Sequence, residues 1–403
     1  METPADSGWR GYSLEERDRR WRAVRENAAR AGLDCVLVPK GNRIDSRYLT
    51  QIENACFILP ADGRPPVVMD DRGTGNAWIA EVRSMRRGDR PRWGPPIAEA
   101  LLELGMERAR IGVVGMGPGT VTHARAADGV LNYDSFAEIV SRLPKASFED
   151  GTDVVGFARY VKSPEELDCL RRAVAIAEEG IAEMVRTAGT GVDEAVLYGR
   201  VSGRMTELGS EHYCVARTDW TAHGWALETG PADGHGTRFT GPPIGRRLQA
   251  GTLISNEVSA IWGGMVAQEV QPILVGSTLD EWQRLVDLQR EVFEAGLSFM
   301  KAGMTYLELV DFVRGSCRMP GFKAEITLHG RGMGDDGPLI TGRSENAKLA
   351  NLRMEQGNAW VWKPVVHTTE GPKREFQFGG TVALTERGVE RFFQRPHRFV
   401  TVA

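Results

Sequence analysis

Two pairs of polar residues stand twelve positions apart in an otherwise apolar stretch, residues 251–276: Asn256 with Glu257, and Gln268 with Glu269. A carboxylate beside an amide has no place in a buried strand unless it faces a cavity or a partner. The plainer alternative is that all four point outward on an alternating strand pattern. Further along, His329-Gly330-Arg331-Gly332 is followed by Asp335-Asp336, and Lys363 stands before Pro364 at the end of an apolar run. Histidine suits proton transfer near neutral pH. Arg331 could grip a carboxylate with two parallel hydrogen bonds, or only pair with Asp335. Asp335 and Asp336 could receive a cationic substrate group, or cap a turn before Pro338. Residues 211–236 hold three of the seven histidines, His212, His223 and His235, near Trp220 and Trp225. These tryptophans and Trp262 could wall a pocket, although tryptophan in a β-rich domain is more commonly core. His367 and His397 read as surface residues.

The elements that must position these residues follow from pattern and punctuation. Residues 251–276 read as two strands joined by the tight turn Trp262-Gly263-Gly264. Ser163-Pro164-Glu165-Glu166 is a strong helix start, with Ser as N-cap, Pro at the first position and acids in the first turn. That helix runs to Thr187, and a second spans 192–208. Helices at 279–301 and 306–318 precede strands at 358–366 and 375–384. Upstream, Ser13 caps a helix reaching Gly32, and strands at 34–39, 55–59, 66–69 and 110–114 alternate with helices at 97–104 and 137–143. A further helix is expected to open at Pro118-Gly119-Thr120, and Gly41-Asn42 reads as a polar turn. The pattern is α/β up to a boundary near residue 155, giving domains 1–155 and 156–403.

At 403 residues two domains are the default expectation. An apolar fraction of 41% and a charged fraction of 26% describe a soluble globular chain. The net charge of −4 gives no reason to expect nucleic acid as a partner. The five cysteines, Cys35, Cys56, Cys169, Cys214 and Cys317, never form a CxxC pair, which favours free thiols in a reducing compartment. Cys35 and Cys169 read as core fillers. No apolar run reaches a membrane span, and residues 1–20 lack the apolar stretch of a signal peptide, so a cytoplasmic location is expected.

Five segments in order, Lys162-Ser163-Pro164-Glu165-Glu166-Leu167, the Gly251 hairpin with Gly263-Gly264, His329-Gly330-Arg331-Gly332, Lys363-Pro364 and the final Thr381-Val382-Ala383-Leu384-Thr385, resemble the creatinase/aminopeptidase P superfamily. The resemblance covers essentially the whole chain. It implies an α/β N-terminal domain plus an α+β "pita-bread" C-terminal domain, the fold shared with prolidase and methionine aminopeptidase. Metallopeptidases of that superfamily hold two divalent ions on two Asp, one His and two Glu. Carried over one at a time, those positions fall on Glu257, Gln268, His329, Lys363 and Gly379 or its neighbour. Only the histidine is retained. Two divalent cations need several anionic oxygens, and Lys363 offers donors only. No metal and no other cofactor is therefore expected. The inference depends on register, because a slip of one residue would turn Glu269 inward in place of Gln268.

Creatinase is a metal-free relative that hydrolyses a C–N bond, yet its acids do not carry over: its hairpin Glu would fall near Val270, and its histidine on His235. The expected function is a metal-independent hydrolase or lyase acting on a C–N bond of a small polar, amino-acid-like molecule. His329 or His235 would be the acid/base, Glu257 would activate a water or take a substrate proton, and Lys363 would stabilise an oxyanion or bind a carboxylate. Gln268, Glu269, Arg331, Asp335, Asp336, His223, Trp225 and Trp262 would line the substrate site. A metal-dependent Xaa-Pro dipeptidase with altered ligands and a non-catalytic ligand-binding protein stand as alternatives. The resemblance also implies a homodimer, with Asn42, Arg43 and Arg47 reaching toward the partner's site.

Overall fold

The computed structural model describes residues 11–71, 73, 75–85, 92–121, 130–211, 225–231, 237–239, 246–276, 280–334, 336–341, 350–371 and 374–403. It divides into two compact units, 1–160 and 161–403. The division falls five residues beyond the expected boundary, because a helix at Thr152–Tyr160 belongs with the first unit. None of the described helices is long and apolar enough to cross a membrane.

The first unit runs α1 (Leu14–Arg30), β1 (Cys35–Val38), α2 (Arg43–Thr50), β2 (Cys56–Pro60), β3 (Val67–Asp70), β4 (Arg83–Ser84), α3 (Gly94–Glu103), β5 (Arg110–Val113), α4 (Tyr133–Arg142), β6 (Ser147–Asp150) and α5 (Thr152–Tyr160). Its sheet has the order β4-β3-β2-β1-β5-β6, with β1 antiparallel to β2 and parallel to β5. Ser13 caps α1 as expected, accepting from the Glu16 backbone N–H at 3.0 Å. Helix α2 was not expected. Asn42 in the supposed turn is its N-cap, accepting from Asp45 N–H at 3.3 Å, and Asp45 is neutralised by the buried Arg159 of α5 at 2.6 Å. Asn42 is 2% exposed, and Arg43 is paired with Glu53. Cys35 and Cys56 are free and fully buried, and burial pushes the Cys35 thiol up to about 12, so they pack as small apolar groups. The helix expected to follow Thr120 falls largely at 122–129, outside the described residues.

The second unit opens with α6 (Pro164–Thr187), whose start is where it was expected and is a full capping box: Glu166 N–H donates to Ser163 Oγ at 3.2 Å, and Ser163 N–H donates to Glu166 Oε2 at 2.8 Å. There follow α7 (Glu194–Glu207), β7 (Trp225–Pro231), β8 (Thr237–Phe239), β9 (Thr252–Trp262), β10 (Met265–Val270), β11 (Ile273–Val275), α8 (Asp280–Phe299) and α9 (Tyr306–Ser316). The chain then supplies β12 (Phe322–Glu325), β13 (Thr327–Gly330), β14 (Leu339–Thr341), β15 (Ala359–Trp362), β16 (Val365–Thr368), β17 (Gly379–Thr385), β18 (Gly388–Arg391) and β19 (Val400–Val402). The large sheet has the order β14-β13-β15-β17-β10-β9-β11-β19, with β7 on β9 and β18 on β17.

The helices cover one face of this sheet. Ile176, Ala177, Ile181 and Met184 of α6 and Leu197, Val201 and Met205 of α7 form a core with Ile254, Val258 and Ala260 of β9. On β15, Trp360 Nε1 donates to the Tyr306 hydroxyl of α9 at 2.9 Å, and Trp362 Nε1 donates to the Phe293 carbonyl of α8 at 3.1 Å. Strands alternate side chains between faces, so the odd-numbered residues of β9 and β15 point the other way. The expected two-stranded hairpin is interrupted. Strands β10 and β11 lie on β9 in one continuous register, broken where Pro272 lacks an N–H. Asn256 bridges the break with its amide: Nδ2 donates to Gln271 O at 2.6 Å, and Oδ1 accepts from Gln271 N–H at 3.2 Å.

Candidate active site

On the face away from the helices, one register row crosses the sheet. His329 of β13 lies opposite Val361 of β15, Val361 lies opposite Thr381 of β17, and Gln268 of β10 lies opposite Ser259 of β9. Directly opposed residues share a face. Glu257, two residues before Ser259, and Lys363, two residues after Val361, fall on the same side by alternation. Four polar side chains separated widely in sequence therefore converge.

Their contacts form a closed network. Lys363 Nζ pairs with Glu257 Oε1 and donates to Gln268 Oε1 at 3.1 Å. Gln268 Oε1 also lies 3.1 Å from His329 Nε2, while Gln268 Nε2 lies 3.4 Å from Glu257 Oε2. Lys363, Gln268 and His329 are 1–2% exposed, whereas the Glu257 side chain keeps 18% of its surface in solvent. Glu257 is thus the member of the four that solvent reaches. Its carboxylate meets a cation, which makes the burial tolerable.

Donor and acceptor capacity fixes the hydrogen positions. An ammonium has no lone pair, so the Gln268 atom facing Lys363 must be the carbonyl oxygen. His329 Nε2 faces that same oxygen and must donate to it, so a neutral His329 carries its proton on Nε2 and its basic lone pair on Nδ1. The Nε2 atom is thereby committed to Gln268. Of the two ring nitrogens of His329, Nδ1 is the one this contact leaves for acid/base work.

Glu269 is turned away. One residue beyond Gln268, it points to the helix face and is wholly buried. Its Oε1 accepts from Thr381 N–H at 3.0 Å and its Oε2 from Arg395 Nη2 at 2.8 Å. Arg395 Nε also pairs with Glu178 of α6 at 2.9 Å. Burial pushes the Glu269 carboxyl up to about 8, with Arg395 opposing the rise and Glu178 adding to it; Glu178 is likewise raised by burial. The register therefore puts an amide, not a second carboxylate, at the site. Glu269 does not line it.

Other expected residues are placed elsewhere. Asp336, 1% exposed, is paired with the buried Lys162 at 3.1 Å, and Gly332 leaves room for it because a Cβ there would stand 1.9 Å from Asp336 Oδ2. An aspartate neutralised inside the chain is not a receptor for a cationic substrate. Trp262 packs with the α6/α7 core, and the Arg172 guanidinium lies 5.2 Å from its ring centre, so it does not wall the site. Arg331 is completely buried just beyond β13, with its backbone N–H donating to Ala359 O at 2.8 Å. His367 is half-buried, and its Nε2 lies 3.4 Å from Glu325 Oε1. His397 is no surface residue: it is 6% exposed, packs against Phe293 and Phe378, and burial pushes its pKa down to about 3. Trp220, His212, His223, His235 and Asp335, and the side chain of Trp225, lie outside the described residues.

A pair of divalent ions does not fit these residues. The site offers one carboxylate, already matched by the Lys363 ammonium, one neutral amide and one imidazole. A cation beside Lys363 would meet repulsion in place of a ligand. Gly379 supplies no side-chain ligand and has no room for one, since a Cβ there would stand 2.0 Å from Trp362 O. Among the described residues, no three His, Cys, Asp or Glu side chains come together to hold a metal.

Comparisons with known proteins agree with this architecture. An uncharacterized hydrolase/peptidase of Sinorhizobium fredii is 23% identical over 288 residues, 68% of this chain and 67% of that protein. The creatinase of a Bacillus species is 23% identical over 313 residues, 74% of this chain and 70% of that protein. The structure of the Xaa-Pro dipeptidase from Bacillus anthracis superposes with a TM-score of 0.74 at 17% identity, covering 96% of this chain and 100% of that one. The family model of metallopeptidase family M24 matches residues 168–386, more than half of the chain. With its two-unit fold and its helix-covered sheet, the chain belongs to metallopeptidase family M24.

Proposed function

We propose that this chain is a metal-independent hydrolase or lyase acting on a C–N bond of a small, polar, amino-acid-like molecule. The observation that carries the proposal is the Lys363 ammonium, seated between Glu257 and Gln268 where metal-dependent relatives would need a ligand. A fixed positive charge in a buried setting stabilises a developing oxyanion or holds a substrate carboxylate. It does not lower the pKa of water as a divalent ion does, which favours a labile C–N bond over an ordinary peptide. Glu257, the solvent-reachable member, is the base. In hydrolysis it takes a proton from water as the C–O bond forms, then returns that proton to the departing nitrogen as the C–N bond breaks. In elimination it takes a substrate C–H proton as the C=C bond forms and the C–N bond breaks, then returns that proton to the departing nitrogen. Gln268 and His329 keep Lys363 and Glu257 in place.

The test is turnover of a panel of small N-substituted amino acids after exhaustive chelation. Product is expected without added metal, and Lys363→Ala should lose roughly 100-fold or more, the usual scale for removing an oxyanion partner. A requirement for manganese, cobalt or zinc, or wild-type rates in Lys363→Ala, would overturn the assignment. Because the Lys363 ammonium is already paired with the Glu257 carboxylate, a ligand-binding role without catalysis is the second reading. Thermal stabilisation by a panel member with no product would favour it.

A further inference from the structure

Between Gln268 and Val361 in the register row sits Thr381, completely buried and unused by the chemistry above. Its hydroxyl brackets the Gln268 backbone: Gln268 N–H donates to Thr381 Oγ1 at 3.0 Å, and Thr381 Oγ1 donates to Gln268 O at 3.1 Å. Its own N–H is held by Glu269 Oε1 at 3.0 Å. Arg395 ties that carboxylate down from the other side and reaches Gly379 O at 3.1 Å. The neighbouring Gly380 is shaped for the same device, since a Cβ there would stand 1.9 Å from Glu269 Oε2. A central strand pair rarely replaces ladder bonds with side-chain bonds, because the backbone groups satisfy one another. Here a hydroxyl and a buried carboxylate fix residue 268 instead.

We propose that Thr381, oriented by Glu269, is a positioning residue that sets Gln268 and through it the His329–Gln268–Lys363 arrangement. The inference rests on Gln268 being the organiser of the site, as in the proposed function, but its test does not need turnover. One hydroxyl supplies both a donor and an acceptor to Gln268, so Thr381→Val, nearly the same in shape, removes both bonds. Thr381→Ser restores them. Glu269→Gln keeps an oxygen for the Thr381 N–H, giving up only the acceptor for Arg395, and should hold the His329 signal at pH 6.

The experiment follows imidazole N–H protons by NMR in uniformly 15N-labelled full-length protein, with His329→Asn used for assignment. The His397 Nε2–H, held 3.1 Å from Gln289 Oε1 on the other side of the sheet, reports that the fold is intact. In wild type the His329 Nε2–H is expected to be protected from solvent exchange. Thr381→Val should raise its exchange rate at least tenfold, or abolish the signal, while the His397 signal stays. Thr381→Ser should recover it. An unchanged His329 signal in Thr381→Val overturns the proposal, and so does equal loss in Thr381→Ser with His397 intact. If Thr381→Val also loses the His397 signal, Thr381→Ser alone decides, and its failure to hold the His329 proton overturns the inference. Failure of the proposed chemistry would instead show as absent turnover with these signals unchanged.

Discussion

Replacing Lys363 by Met keeps the length of the stem and removes only the charge, so it isolates the internal cation. Two unit charges about 3 Å apart at an effective dielectric near 20 attract by roughly 5 kcal/mol before desolvation is counted. With Lys363 2% exposed, most of that attraction offsets the cost of burying the ammonium itself. What remains in Lys363→Met is a Glu257 carboxylate that has lost this ammonium, and breaking a buried pair in this way costs about 3–5 kcal/mol. Glu257 keeps 18% of its side chain in solvent, which lowers the expected loss to about 2–3 kcal/mol. For a unit of this size each kcal/mol moves the melting temperature by roughly 2–4 °C. Differential scanning calorimetry should therefore show one transition falling by about 4–12 °C. Adding Glu257→Gln should recover most of it, because the double variant has no stranded charge, for a coupling of about 2 kcal/mol. If the two substitutions add within about 0.5 kcal/mol, the ion pair is not what holds this site together.

Two further outcomes follow from the helix-covered face. The Glu269 carboxyl, raised from 4.5 to about 8, binds its proton in the folded state where the unfolded chain has already released it. Stability is therefore present below pH 4.5 and lost as pH rises toward and through 8. Glu269→Gln cannot titrate at this position, so between pH 5 and pH 9 its stability should not show the fall of roughly 2–4 kcal/mol expected of wild type, read from melting temperatures across that range. Parallel curves for the two proteins would rule this out. Gly380→Ala should cost about 1–3 kcal/mol by driving the Glu269 carboxyl and the Phe393 ring aside, measured by urea denaturation, and should cost less, but not nothing, in a Glu269→Ala background where only the Phe393 contact remains. An undiminished cost there would locate the strain elsewhere.

Local chemistry made some of this legible from sequence. Ser163, Pro164 and Glu166 specify a helix start by themselves, and Gly263 and Gly264, at φ of 59° and 78°, mark a hairpin turn that few other residues would accept. Once that turn is fixed, the eleven-residue spacing puts Glu257 and Gln268 on one face. The mistaken expectations share a different cause. Helix α2 buries Asp45 and Ser46, so its apolar pattern is thin, and the Arg159 that neutralises Asp45 lies far along the chain. Asp336 read as a ligand for cations because its partner, Lys162, precedes it by a whole sheet. His397 sits among arginines in the sequence but between phenylalanines in space. In each case a polar residue was interpreted without its distant partner, and partners of that kind are set by topology, which composition and periodicity do not encode.

The site's cation and its carboxylate are 106 residues apart in the chain. During synthesis the hairpin leaves the ribosome several seconds before Lys363 is added, at the usual elongation rates of about 5–20 residues per second. In that interval Gln268 lies on β10, the strand whose edge stays open until β17 arrives, with Glu257 on the neighbouring β9, and polar groups there discourage pairing with another nascent chain. A variant with an apolar residue at position 257 loses one of these polar groups, and its soluble yield is expected to fall.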